Sequence, residues 1–249
     1  MNALATAERP PAAETSAVEP PAEPPVLLAC SHGTSSRAGQ RAIAALVEAV
    51  AARRRDLAVV PSFVDVQEPD VPATLAEIGE RRVRVVPLLL SAGYHVHVDL
   101  ARAARRATDA AVQRALGPDV RLARRLARRL DDAGLAPDDS VVLAAAGSSD
   151  ARAVADCEAM GEMLGALLDR PVRCGYISAV QPALPDAVAA AREERPGARV
   201  VVATYLLAPG YFADLATACG ADVVSAPLLL PGETVAPEMV DVVLDRYDG

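Results

Sequence analysis

Residues 27–35 read Leu27-Leu28-Ala29-Cys30-Ser31-His32-Gly33-Thr34-Ser35, and residues 141–149 read Val141-Val142-Leu143-Ala144-Ala145-Ala146-Gly147-Ser148-Ser149. Each is an apolar run, too short for a helix, closed by glycine and small hydroxyl residues. That pattern is a buried strand running into a turn. Further matches follow in the same order. Phe63 with Pro69 and Pro72 parallels Tyr176 with Pro182 and Pro185, and Val85 to Tyr94 parallels Val201 to Tyr211 with one residue of slippage. The chain is a duplication, and its alternation of short apolar runs with longer Ala/Leu/Arg/Glu segments of helical period marks both copies as βαβ units. The expected fold is α/β: two tandem similar domains, each a parallel sheet flanked by helices, with a cleft between them.

In the first copy strands are expected over Val26 to Cys30, Ala58 to Phe63, Val83 to Leu90 and Val120 to Ala123. Helices are expected over Ser36 to Arg55, Pro72 to Arg81, His95 to Leu116 and Leu126 to Ala133. The second copy has strands over Val141 to Ala146, Val172 to Ile177, Val200 to Leu207 and Asp222 to Ala226. Its helices cover Asp150 to Leu168, Pro185 to Arg195, a segment after Gly210, and Pro237 to Tyr247. The strands are nearly continuously apolar, as when helices cover both faces. A Pro/Ala-rich leader over residues 1–25 is expected to be disordered, the first domain to span 26–136 and the second 137–249.

Composition removes several function classes. All 25 cationic residues are arginine and none is lysine, so no Walker lysine, Schiff-base lysine or pyridoxal-phosphate attachment exists. A net charge of -8 disfavours nucleic acid and anionic membranes as partners. No apolar run approaches the roughly 20 residues of a membrane span, and the start has no signal-peptide pattern, so the expected location is the cytoplasm. Cys30, Cys157, Cys174 and Cys219 form no C-x-x-C pair and read as buried free thiols.

The copies differ in their imidazoles. His32, His95 and His97 all fall in the first copy, whereas the second has Ala146 at the place of His32 and Phe212 or a neighbour at that of His95. In an open parallel sheet, ligands bind outside the carboxyl ends of the strands. His32 follows the first strand, Asp65 the second and His95 the third. Two imidazoles and a carboxylate at three strand ends make a candidate metal station with open coordination positions. His97 lies two residues beyond His95, toward another side of the helix start.

Three blocks carry a family resemblance: Ser31-His32-Gly33-Thr34-Ser35, Phe63-Val64-Asp65 with Glu68-Pro69, and Val86 through Tyr94-His95-Val96-His97-Val98-Asp99-Leu100. Together they resemble the CbiX/SirB family of sirohydrochlorin chelatases over nearly all of residues 26–230. The resemblance implies a class II chelatase in its two-domain bacterial form, inserting a divalent metal into sirohydrochlorin across a tetrapyrrole cleft without a nucleotide. The metal is a substrate, Fe2+ for sirohaem first and Co2+ for cobalamin second. The family's active-site histidines fall on His32 and His95, and its metal-associated glutamate on Asp65, one methylene shorter. A chain that supplies both lobes is expected to work as a monomer.

A polycarboxylate substrate needs donors. Candidates are Arg37, Arg102, Arg105 and Arg106, the hydroxyls of Ser35, Ser36, Ser148 and Ser149, and backbone N–H groups at helix starts. Gly93, with Tyr94 beside it, and Gly210 let backbone approach a flat ligand. Two other readings compete. One is a non-catalytic tetrapyrrole or metal carrier of the same fold. The other is a hydrolase or phosphatase, disfavoured because Ser31 stands where a phosphohistidine enzyme has arginine and no G-x-S-x-G motif exists.

Overall fold

The computed structural model describes residues 23–249 apart from residue 92; at residues 94–97 it describes the backbone alone. The leader expected over 1–25 lies outside the described residues up to residue 22. Strands β1 (Val26–Ser31), β2 (Val59–Phe63), β3 (Val83–Pro87) and β4 (Ala110–Val112) form one parallel sheet in the order β2-β1-β3-β4. Strands β5 (Ser140–Ala145), β6 (Val172–Tyr176), β7 (Val200–Tyr205) and β8 (Val223–Val224) repeat it as β6-β5-β7-β8. The crossovers are helices α1 (Arg37–Arg53), α2 (Val71–Ile78), α3 (Tyr94–Ala104), α5 (Ala151–Leu168), α6 (Leu184–Glu194) and α7 (Tyr211–Thr217). The last helix of each copy is α4 (Val120–Asp132) or α8 (Pro237–Asp248). No described helix is long and apolar enough to cross a membrane.

Register removes the slippage between the copies. Ala29 pairs with Val86 in the first sheet as Leu143 pairs with Ala203 in the second, which brings Gly93 opposite Gly210 and His95 opposite Phe212. Strand alternation then divides the core. Val26, Leu28, Cys30 and Val85 face α2 and α3, while Val142, Ala144, Val200 and Val202 face α6 and α7. The opposite faces, carrying Leu27, Ala29 and Val86 in one sheet and Val141, Leu143 and Ala203 in the other, belong to a single apolar cluster that runs through both copies.

Two expectations are corrected. The strand expected over Val120 to Ala123 is the first turn of α4, capped by Asp119, whose carboxylate accepts from the Arg121 N–H at 2.9 Å. Leu122, Leu126 and Leu130 recur every fourth residue and are fully buried, so the segment follows the helical period. The edge strand is Ala110–Val112, inside the helix expected over His95 to Leu116, which ends at Ala104. Three residues, Ala-Ala-Val, carry little strand propensity; pairing with Val83–Val85 sets their conformation.

The last helices are exchanged. α4, from the first copy, packs on α5 and β7 of the second, and α8 returns from the second copy to pack on α1 and β3 of the first. Buried Arg246 of α8 ties the crossing chains together. Its Nε donates to Ala115 O at 2.9 Å, and its Nη2 donates to Leu116 O at 2.6 Å and to the Asp119 carboxylate at 3.1 Å. Burial alone would raise the Asp119 carboxyl, but hydrogen bonds from Arg121 and Arg246 outweigh it and lower it to about 2.

Removing the guanidinium leaves a buried carboxylate and two carbonyls short of donors. Arg246→Ala is expected to lose about 3 kcal/mol in urea unfolding. The Asp119 contribution should be complete above the ordinary value of 3.8 and vanish as pH falls toward 2, read as acid destabilisation that Asp119→Asn flattens.

Candidate active site at the facing sheet edges

In each sheet the first two crossovers leave the first strand on opposite sides, so the topological switch point lies between β1 and β3, and again between β5 and β7. The carboxyl ends of those four strands enclose a cavity of about 680 Å³. Its first wall is Ser31 to Ser35 after β1, Leu88 to Ser91 and Gly93 after β3, with Val66 and Gln67 after β2. Its second wall is Ala145 to Ser148 after β5, Leu206 to Ala213 after β7, and Ser178 after β6. The walls touch crosswise. A Cβ on Gly39 of α1 would stand 2.4 Å from Pro209 O, and one on Gly93 would stand 3.9 Å from Ser148 Oγ.

The turn after β1 is built by backbone. Gly33 has φ +90° and lies against the peptide of Asp65, whose carbonyl would be 1.9 Å from a Cβ there. Asp65 N–H donates to His32 O at 2.9 Å, and Ser36 N–H donates to Thr34 Oγ1 at 3.1 Å. The second copy repeats each feature. Gly147 has φ +88°, Ser178 N–H donates to Ala146 O at 3.0 Å, and Asp150 N–H donates to Ser148 Oγ at 3.1 Å.

His32 is exposed and lines the cavity, as do Ser35, Gly93, Ser148 and Gly210. Ser36 is instead the N-cap of α1, accepting from Gly39 N–H at 3.3 Å, and Arg37 and Ser149 are exposed away from the cavity wall. Asp65 is exposed and its carboxylate accepts from Val66 N–H at 2.7 Å; its neighbours Val66 and Gln67 are the wall residues. Arg102 pairs with Asp99 across one turn of α3, and Arg105 caps that helix. Tyr94 and His95 begin α3 directly above the cavity wall at Gly93, and their side chains lie outside the described residues, as does that of His97. Among the described residues no three His, Cys, Asp or Glu side chains gather as a metal cluster.

The described wall carries neither carboxylate nor guanidinium. Its polar character comes from the His32 imidazole, hydroxyls and Gln67, on loops that lead into α1, α3 and α5; the start of α5 is already capped by the Asp150 carboxylate, whereas those of α1 and α3 carry no acidic residue. Helix starts of this kind favour anions.

The family model described as CbiX matches residues 26–133 and 140–216, most of the chain. The chain belongs to the CbiX family. Among solved structures, SirB from Bacillus subtilis with Fe3+ superposes with a TM-score of 0.72 at 21% identity, covering 90% of this chain and 94% of that one. The cobalt complex of SirB from Bacillus subtilis subspecies spizizenii gives 0.68 at 20%, with the same two coverages of 90% and 94%. A CbiX named as the terminal enzyme of sirohaem biosynthesis in denitrifying bacteria gives 0.60 at 20%, covering 90% and 98%. At these identities the likeness is one of fold. No curated protein matches the chain significantly.

Within this CbiX-family chain, sequence reasoning passes over Tyr205, whose signal is its place at the end of β7, where the first copy has Leu88. Tyr205 is buried in the cavity floor and its hydroxyl donates to Leu90 O at 2.9 Å, joining the second copy to the loop that leads to α3. Burial pushes its phenol well above the ordinary value. Cys157 also lines the cavity, and burial raises its thiol to about 11, so it is no ready thiolate.

The close approach at Gly33 is separable from its backbone strain. Gly134, which ends α4 with φ +78°, has nothing within 4 Å of the place a Cβ would take. Gly134→Ala is expected to cost about 1 kcal/mol in urea unfolding, and Gly33→Ala more than about twice that, because the Asp65 peptide must move as well.

Proposed function

We propose that the protein is a sirohydrochlorin chelatase that inserts a divalent metal ion, Fe2+ before Co2+, into its tetrapyrrole. The observation that carries this reading is the cavity: one imidazole-bearing wall faces one imidazole-free wall, with no charged side chain described on either. Its volume lies within the range of pockets that bury large organic ligands. A flat macrocycle between the lobes would rest its apolar faces on Leu88 to Leu90 and on Ala145, Ala146, Leu206 and Leu207. Its carboxylates would meet the starts of α1 and α3 with Ser35 and Ser148, a way for a protein of charge -8 to hold a polyanion. Since one chain supplies both walls, the monomer is the working unit.

Insertion forms metal–nitrogen bonds, breaks two pyrrole N–H bonds and releases two protons. In the proposed mechanism His32, on the exposed lip of the first wall, and His95, at the start of α3, hold the incoming ion over the ring and accept or relay those protons. Few ligands suit a site that must release its ion, because a closed tetrahedral cage would retain it. Asp65 would be a lesser aid, since one carboxylate oxygen accepts from Val66 N–H and the residue stands beside the cavity wall, not on it. Metal choice rests on availability as much as on ligand type.

The test is anaerobic incubation with sirohydrochlorin and Fe2+ or Co2+, followed by the absorbance change on metalation. Acceleration over the spontaneous rate is expected, and His32→Ala and His95→Ala should each lower it by about 100-fold or more. Unchanged rates in both variants would remove the site assignment, and tight binding of the tetrapyrrole without acceleration would make the protein a carrier.

A further inference from the structure

Comparing the two copies residue by residue separates what builds the turn after the first strand from what accompanies the histidine. The glycine, the backbone hydrogen bond donated by Asp65 after β2 or Ser178 after β6, and the hydroxyl acceptor occur in both copies. Two side chains do not. In the first copy Thr34 N–H donates to Gln67 Oε1 at 2.9 Å, and Gln40 Nε2 donates to Thr34 O at 2.8 Å. Both backbone polar groups of one residue, two positions after His32, are thus gripped by glutamines from separate elements, the loop after β2 and the first turn of α1.

The equivalent positions in the second copy are Val180 and Val154. Val180 N–H donates to Ser178 O as Gln67 N–H donates to Asp65 O, and Val154 N–H donates to Asp150 O as Gln40 N–H donates to Ser36 O, which fixes the correspondence. Valine side chains form no hydrogen bonds, yet the second turn adopts the same path, with φ +88° at Gly147 against +90° at Gly33. The glutamines are therefore not what folds the turn. They occur in the copy that has an imidazole and are replaced in the copy that has Ala146.

We infer that Gln40 and Gln67 are positioning residues that lock the Thr34 backbone and thereby fix where His32 presents its imidazole; the inference rests on the chelatase reading of this site. Handing an ion from a ligand to a macrocycle demands geometry held within about 0.5 Å, which a loop keeps only with supporting hydrogen bonds. The two grips have opposite polarity: position 67 must accept and position 40 must donate. That polarity gives a signature that packing alone would not.

The experiment measures Co2+ insertion into sirohydrochlorin, together with Co2+ titration of the protein without tetrapyrrole by its visible absorbance. Gln67→Val and Gln40→Val import the residues of the second copy and are expected to keep the thermal transition. Each should lower kcat and weaken Co2+ binding by about tenfold, with the KM for sirohydrochlorin within about twofold. The double variant should cost little more than either single, since both act on one residue. Gln67→Glu keeps an acceptor and should retain most of kcat and of the Co2+ affinity, with any rise in KM reporting the added carboxylate on the wall, whereas Gln40→Glu sets a carboxylate against a carbonyl and should lose as much kcat and Co2+ affinity as Gln40→Val. Valine variants with wild-type rate and Co2+ affinity, or equal responses to glutamate at both positions, would overturn the inference. His32→Ala run in parallel distinguishes the failures: if it too is fully active, the site reading itself has fallen.

Discussion

One apolar layer holds both copies in a fixed relation. From Leu27 and Val86 in the first sheet it passes through the helices between the sheets to Val141 and Ala203 in the second, without interruption by solvent. Because α4 and α8 are exchanged, each sheet has one inner face covered by a helix from the other copy, and the halves cannot separate without exposing both. Everything at the cavity depends on this. The crosswise approaches of Gly39 to Pro209 and of Gly93 to Ser148, and the Tyr205 to Leu90 bond, are short contacts between parts distant in sequence. They persist only if the layer beneath keeps the sheets in register.

The exchange also explains the placement of charge. Arginines of α4 and α8 are spent on carbonyls and carboxylates at the crossings: Arg129 on Pro227 O and Glu233, Arg246 on Ala115 O, Leu116 O and Asp119. The cavity wall takes none of them among the described residues. In the proposed reading, substrate carboxylates would therefore meet backbone N–H groups and hydroxyls instead of guanidinium groups.

Much of the fold was legible in the sequence, because strands buried on both faces read as apolar runs and the second copy repeated the first. The failures have physical causes. Ala110–Val112 is strand by pairing and not by propensity, and Val120 to Ala123 looked apolar enough for a strand until the period of Leu122, Leu126 and Leu130 is followed further. Which sheet a helix covers is not written in its own residues, so the exchange of α4 and α8 could not be read. At the candidate site, His32 and the small residues of the turns, which line the cavity, stood out in the sequence because imidazole and glycine are chemically conspicuous. Gln40 and Gln67 were missed because glutamine signals nothing alone; only alignment of the copies through their hydrogen bonds sets them against valines. Arginine was sought for a polyanion, whereas Arg37 lies off the wall and Arg102 is paired with Asp99.

The exchanged helices also bear on how such a chain arises. A lone lobe with these residues would send its terminal helix away from its own sheet and leave an inner face bare. It could be soluble only by trading arms with a twin, as in domain swapping. Fusion of two swapped protomers end to end would yield the present connectivity without any rewiring, and once both arms are supplied in cis the two lobes are free to differ in sequence. Ala146 and Phe212, opposite His32 and His95, are differences that a symmetric pair of identical subunits cannot carry.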